Sequence, residues 1–405
     1  MVAWRSKSAG TVTGESLAEG GDCPAPAGRS ASYNGPMALP PEVCIRGAGI
    51  VGRTLALLLA RERVRVALVA PPAATEKQDV RAYALNAASK TLLESLRGWP
   101  EAPHATPVRE MLVHGDEGGR VQFHAARQKV EALAWIVDVP ALEQQLTDAV
   151  RFQSRIDVVA QPVQAPLTVV CEGRISATRE TLGVRYEVTR YPQHAIAARL
   201  VADEPHDGAA RQWFNDRGEV FALLPMSDKQ LALVWSVDQL RAPELLALTA
   251  DQFNAALHEA SHGALGALRL VSERASWPLQ RAIADRWTGR LADGNAWALA
   301  GDAAHTVHPL AGQGLNLGLA DAAALANVIK DRDYWRSVGD ARLLRAYERS
   351  RRAEVLAMSL ATDGLQQLFA HSADPLPALR NWGMRGFDRT RLIKNWVAKQ
   401  AMGLA

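Results

Sequence analysis

A short buried-strand signal, Val43-Cys44-Ile45, runs into Gly47-Ala48-Gly49-Ile50-Val51-Gly52. A helical run over 53–61 and a second strand over 64–69 follow. A G-x-G-x-x-G pattern in a strand–turn–helix–strand setting permits few folds other than a parallel, doubly wound α/β sheet that binds a dinucleotide. The three glycines serve different ends. Gly47 allows the tight turn, Gly49 lets backbone approach a pyrophosphate, and Gly52 allows close packing of helix on strand. Such units usually end the second strand with an acid, roughly 20 residues past the glycines, that binds the adenosine ribose. Here Val69 is followed by Ala70-Pro71-Pro72, and Glu76 is too far into the loop to replace it. Ribose recognition is expected to be weaker, or to come from elsewhere.

A second ligand-type stretch is Gly301-Asp302-Ala303-Ala304-His305-Thr306-Val307-His308-Pro309-Leu310-Ala311-Gly312-Gln313-Gly314-Leu315-Asn316. Trp297 to Ala300 reads as a buried strand before it, and 315–330 as a largely buried helix after it. A carboxylate at the carboxyl end of a strand lies where open α/β sheets bind ligands. The Gly312-Gln313-Gly314 turn lets backbone approach a ligand and aims the next helix's free N–H groups at it. An acid for hydroxyls beside a helix N-terminus for negative charge suits a ribityl chain and a flavin ring. A tight strand-to-helix connection without ligand is the other reading.

The chain has 405 residues, 48% hydrophobic and 22% charged, which fits one or two lobes of an ordinary globular protein. A net charge of +3 gives no argument for nucleic acid. Cys23, Cys44 and Cys171 form no C-x-x-C pair, which argues against a disulfide framework or zinc site and fits a reducing compartment. No apolar run reaches the roughly 18 residues of a membrane span. Residues 1–36 are rich in Gly, Ser, Ala and Pro and read as a disordered extension ahead of a functional start at Met37.

Between the two glycine motifs, Asp79-Val80-Arg81-Ala82-Tyr83-Ala84-Leu85 offers Arg81 as a cationic partner for phosphate or ring, or as a surface arginine opening the 87–96 helix. Residues 111–114 and 121–123 read as a hairpin around Gly118-Gly119. Pro140 opens a helix. The strand 167–171 leads to Glu172-Gly173-Arg174-Ile175-Ser176-Ala177-Thr178-Arg179, read as a ligand-facing or a plain surface loop. A strand-rich block at 183–280 follows, placed to roof a substrate pocket. Helix 340–369 precedes a tail in which Arg380, Arg385, Arg389, Arg391, Lys394 and Lys399 interleave with Trp382, Met384, Phe387, Leu392, Ile393 and Trp396. That tail suits an anionic membrane surface or a packed helix with a solvated basic face.

The motif at 47–52, the 172–179 loop and the 301–316 stretch together resemble the flavin-dependent aromatic hydroxylases, the para-hydroxybenzoate hydroxylase type. The closer likeness, to the ubiquinone-biosynthesis hydroxylase subfamily, is carried by 79–85, by Ala222-Leu223-Leu224-Pro225, by 301–319, by Tyr347-Glu348-Arg349-Ser350-Arg351-Arg352 and by Ala401-Met402-Gly403. It covers residues 42–403. It implies a Rossmann-like FAD-binding lobe (41–182 and 286–335), an inserted β-sheet substrate lobe (183–285) and a helical C-terminal region (336–405) behind an extension (1–40).

The resemblance also implies site roles. Gly47, Ala48, Gly49, Ile50, Val51 and Gly52 would hold the FAD pyrophosphate, with Arg81 near the cofactor. Gly301 and Asp302 would serve the ribityl hydroxyls, and Pro309, Gly312, Gln313, Gly314, Leu315 and Asn316 would border the isoalloxazine. Negative charge on reduced flavin would be stabilised by the start of the Leu315 helix. Two departures stand out: Glu172-Gly173 replaces the family's Asp-Gly, and 151–170 looks short, as if a hairpin were trimmed.

The implied activity is an NAD(P)H- and O2-dependent hydroxylation of a phenolic ring bearing a polyprenyl chain. NAD(P)H would bind transiently, since no second glycine motif is present. A prenylated phenol or quinone precursor, a ubiquinone-biosynthesis complex and peripheral contact at the inner face of the membrane are the implied partners of a cytoplasmic protein, with no nucleic acid. A hydroxylase of a soluble aromatic and a catalytically silent member of a biosynthetic assembly are the alternatives. His305 and His308 read as proton relays or structural loop histidines, so no catalytic base is assigned.

Overall fold

The computed structural model describes residues 39–70, 79–115, 119–307 and 313–370, with 359–370 described by helical backbone alone. The extension before Leu39, His308, Pro309, Gly312 and the basic tail lie outside the described residues.

Six strands form the first sheet, in the order Thr288–Arg290, Ala296–Leu299, Leu167–Val170, Val43–Arg46, Val66–Val69 and Ile156–Val159. All but the first, an antiparallel edge strand, run parallel. Apart from the edge strand Ile156–Val159, where Val158 is exposed, their Val, Ile, Leu and Ala side chains are almost wholly buried, as a sheet covered on both faces requires. The helix Ile50–Arg61 packs on the sheet and against the helices Gly314–Lys330 and Val139–Arg151. Pro140 sits in the first turn of the last of these, where its missing N–H costs nothing.

A larger, nine-stranded sheet is built on the 17-residue strand Tyr186–Ala202, which pairs antiparallel with Gln230–Asp238 and Ala275–Ala284. Helices Arg241–Ala247 and Ala250–Ala260 cover one face, with Trp235, Phe253, Phe221 and Leu257 buried between. The other face packs through Ala210, Met226 and Ala232 on Val108 and Ile136, next to the three-stranded sheet Ala82–Leu85, Ala134–Asp138 and Ala105–Val108. The large sheet reaches beyond the inserted segment at both edges. The hairpin Glu110–His114 and Arg120–His124, with Val113 opposite Val121, joins one edge, and His305–Thr306 joins the other. The chain from Ala296 to Thr306 thus leaves the parallel sheet and enters the large one within eleven residues. That crossing fixes where the site lies.

Candidate active site

Three strands adjacent in the parallel sheet, Val43–Arg46, Leu167–Val170 and Ala296–Leu299, end side by side. Their carboxyl ends release Gly47, Glu172 and Asp302, so stretches 125 or more residues apart in sequence meet at one place. Ligands in open α/β sheets bind there.

The backbones touch. A Cβ at Gly47, whose φ is +110°, would lie 2.4 Å from the Cys171 carbonyl oxygen, and one at Gly52 would lie 1.9 Å from the Gly47 carbonyl oxygen. Val51 presses its isopropyl group on the second motif: Cβ atoms at Gly301 and Gly318 would come within 3.2 and 2.8 Å of Val51 Cγ2. A Cβ at Gly49, by contrast, would meet nothing within 4 Å. Two glycines of the first motif are packed and the third faces open space, as close approach of a pyrophosphate to Gly49 requires.

Helix N-termini supply the anion-binding groups. The helix Ile50–Arg61 opens at Gly49 and the helix Gly314–Lys330 opens at Gln313, and neither start is closed by a side-chain cap. Helices opening at Asn86, Ser176 and Thr249 are closed by their own side chains. The first-turn N–H groups at Gly49 to Gly52 and at Gly314, Leu315 and Asn316 favour negative charge.

Asp302 is exposed beside these strand ends, and its carboxylate makes no hydrogen bond among the described residues. Crowding by protein pushes its carboxyl up, while the His305, Arg174 and Arg81 charges pull against that shift. Arg81 is thus one of the charges that act on Asp302. It is held from behind by a two-pronged ion pair with Asp79 (2.6 Å from Nη2 to Oδ2), which fixes it as a cation against the opposing effect of burial. A free acid, a pinned arginine and two uncapped helix starts fit the hydroxyl-bearing, phosphate-bearing and ring portions of FAD.

Other residues hold these groups in place. Asn316 is 5% exposed and its amide is fully engaged. It accepts from Asn86 N–H (3.0 Å) and Ser89 O–H (2.7 Å) and donates to the Ala84 carbonyl (2.9 Å). Its side chain thus ties the Arg81-bearing strand to the helix start. Glu172 accepts from Ser176 O–H (2.7 Å), Thr178 N–H (3.1 Å) and Thr178 O–H. Burial pushes its carboxyl up, but these bonds and Arg46 outweigh that and hold it below the usual carboxylate range. What read as a loop at 172–179 folds at its end into the helix Ala177–Thr181, capped by Ser176.

Sequence reasoning missed four supporting residues. Arg179 is buried, donates to the Ala303 carbonyl (3.2 Å) and lies 3.6 Å over the Tyr186 ring. Tyr186 O–H donates to the Asp302 carbonyl (2.7 Å) and pairs with Thr306 Oγ1 (2.8 Å), and burial raises its phenol to about 12. Asp321, wholly buried, accepts from Gly301 N–H (2.9 Å) and Arg351 (2.8 Å) and pairs with His305 Nε2 (2.6 Å). His305 also stacks on Trp287 at 5.1 Å, so of its two readings the structural one describes its bonds. A lone acid in the apolar helix 314–330 was the available signal for Asp321, because a buried carboxylate needs partners.

A family described as an FAD binding domain matches residues 120–361. The chain is 31% identical over 390 residues to a ubiquinone hydroxylase of Rhodospirillum rubrum, covering 89% of each chain. It is 29% identical over 395 residues to 3-demethoxyubiquinol 3-hydroxylase of Escherichia coli, covering 90% of this chain and 99% of that one. Among solved structures, p-nitrophenol 4-monooxygenase of Pseudomonas putida has the same fold, with a TM-score of 0.70 at 16% identity, covering 90% of this chain and 98% of that one. HpxO of Klebsiella pneumoniae, solved with FAD and uric acid, superposes with a TM-score of 0.67 at 18% identity over 89% of this chain and 96% of that one.

Proposed function

Because the chain belongs to the family of FAD-binding monooxygenases that contains the ubiquinone hydroxylases, we propose that it hydroxylates the ring of a prenylated phenol or quinone precursor in ubiquinone biosynthesis. The balance is a ring C–H, O2, NAD(P)H and a proton going to a ring C–OH, NAD(P)+ and water. FAD, when bound, supplies the redox chemistry by taking hydride and activating oxygen. The chain supplies binding, orientation and charge. The helix starts at Gly49 and Gln313 would receive the pyrophosphate and the flavin's negative edge, and Asp302 would receive ribityl hydroxyls. Arg81 would add positive charge near Asp302. The observation that carries this reading is the convergence, on three adjacent strand ends, of an Asp302 carboxylate with no hydrogen bond among the described residues and two helix N-termini that their own N-cap side chains do not close.

The ubiquinone names of the relatives support the prenylated substrate and, with it, contact with a membrane surface. No helix among the described residues is long and apolar enough to cross a membrane, so a surface contact is the form proposed. A flavin spectrum of the purified protein, followed by NAD(P)H oxidation with a prenylated phenol and with a soluble one, tests the proposal. Bound flavin and stimulation by the prenylated ring are expected. A colourless protein that takes up no FAD overturns it, and stimulation by the soluble ring alone reassigns the substrate.

A further inference from the structure

The turn between the last two helices, 331–340, holds two aromatic rings in water. Tyr334 is 94% exposed and Trp335 67%, and the rings meet edge to face with centroids 4.9 Å apart. Fully burying such a side chain is worth about 1.5–3 kcal/mol, so two neighbouring rings left outside call for a reason. Slack chain is not the reason. Arg336 bonds Asp333 (2.8 Å) and Asp340 (3.0 Å) across the turn, and Arg336 N–H returns to the Asp333 carbonyl. Val338 is buried, and a Cβ at Gly339 would lie 2.6 Å from the Pro166 carbonyl oxygen and 2.9 Å from Ala296 Cβ. The base of the turn is therefore clamped on the parallel sheet while its tip presents both rings.

The charges beside the tip are mostly positive. Arg336 bridges Asp333 and Asp340, one positive charge between two negative ones, and exposed Lys330, Arg342 and Arg345, with half-buried Arg332, outnumber the remaining negative charge and Asp331. Lys330 also reaches Glu62 at 3.8 Å. Tyr and Trp favour the zone where one end of the ring is apolar and the other wet, and flanking cations favour anionic headgroups. We propose that the Tyr334–Trp335 knuckle is a docking point for an anionic lipid surface. Pre-ordering of the turn lowers the entropy lost on docking. This inference rests on the proposed lipid-borne substrate for its biological sense, but not for its geometry.

The test is co-sedimentation of the full-length protein with vesicles of equimolar phosphatidylglycerol and phosphatidylcholine, beside pure phosphatidylcholine. The wild type should pellet with the mixed vesicles, less so in high salt, and weakly with the neutral ones. The double variant Tyr334→Ala/Trp335→Ala should partition about tenfold less or weaker still, a change of about 1.4 kcal/mol, with flavin content and oxidation of a soluble ring unchanged. No binding by the wild type, or equal binding by the double variant, overturns the proposal, the second outcome pointing to the basic tail. A double variant that changes oligomeric state without changing vesicle binding also overturns it, in favour of contact between copies. Vesicle binding is read without flavin, so failure of the hydroxylase reading remains distinguishable.

Discussion

Glu172 Oε1 lies 3.3 Å from Arg46 Nε, so the acid of the middle motif pairs with the last residue of the first strand. It belongs to the scaffold that fixes the neighbouring backbones. With Arg179 bonded to the Ala303 carbonyl, the 172–179 segment ties the first motif to the third.

Removing Glu172 should therefore cost stability and cofactor affinity together. Glu172→Ala leaves Arg46 without its acid and opens the Ser176–Thr178 turn. Hydrogen bonds to charged groups are worth about 1.5–3 kcal/mol, so a loss of about 2 kcal/mol in denaturant unfolding is expected, with weaker FAD binding by fluorescence titration. A variant as stable as the wild type would remove the scaffold role.

Gly49 and Gly52 should separate binding from folding. Gly49 has an ordinary φ of −74° and room for a methyl group, so Gly49→Ala should leave the apo-protein's melting temperature unchanged while reducing FAD affinity about tenfold or more. Gly52→Ala drives a Cβ into the Gly47 carbonyl and should cost about 1–3 kcal/mol through overpacking. Equal destabilisation of the two variants would contradict this geometry.

Asp302→Ala should lose most bound flavin and stay folded. Since the carboxylate makes no hydrogen bond among the described residues, the apo-protein's stability should change by no more than about 0.5 kcal/mol. Retention of a full complement of flavin by this variant would exclude Asp302 from cofactor binding.

Asp321 carries a pH signature. Burial pushes its carboxyl up, but His305 and Arg351 outweigh that and hold it below its ordinary value. The unfolded chain therefore takes up the proton first as pH falls. The stabilisation is complete above the unfolded value, about pH 4, and is lost as pH falls through the lower folded value. Asp321→Asn should cost about 3 kcal/mol at pH 7, since it leaves buried partners uncompensated. The difference in melting temperature should hold steady from about pH 8 to 5 and narrow below about pH 4. A gap that widened in acid would reverse the assigned sign.

Sequence by itself determined the local chemistry: the glycine motif between strand and helix, the Gly-Asp at a strand end, the hairpin at 111–123, and the cofactor class these imply. Those features are legible because they are written in adjacent residues, where periodicity, backbone freedom and strand ends act over a few positions. The tertiary structure alone decided which of the side chains are engaged by the protein itself. Glu172 and Asn316 each tie neighbouring segments together through their hydrogen bonds. The Asp302 carboxylate is exposed and makes no hydrogen bond among the described residues. Arg179, Tyr186 and Arg351 are given no supporting role by any local pattern, and they buttress the neighbouring backbones. A side chain's partners are set by chain segments up to 232 residues away, as Asn316 and Ala84 are, and no local pattern encodes a distance of that kind.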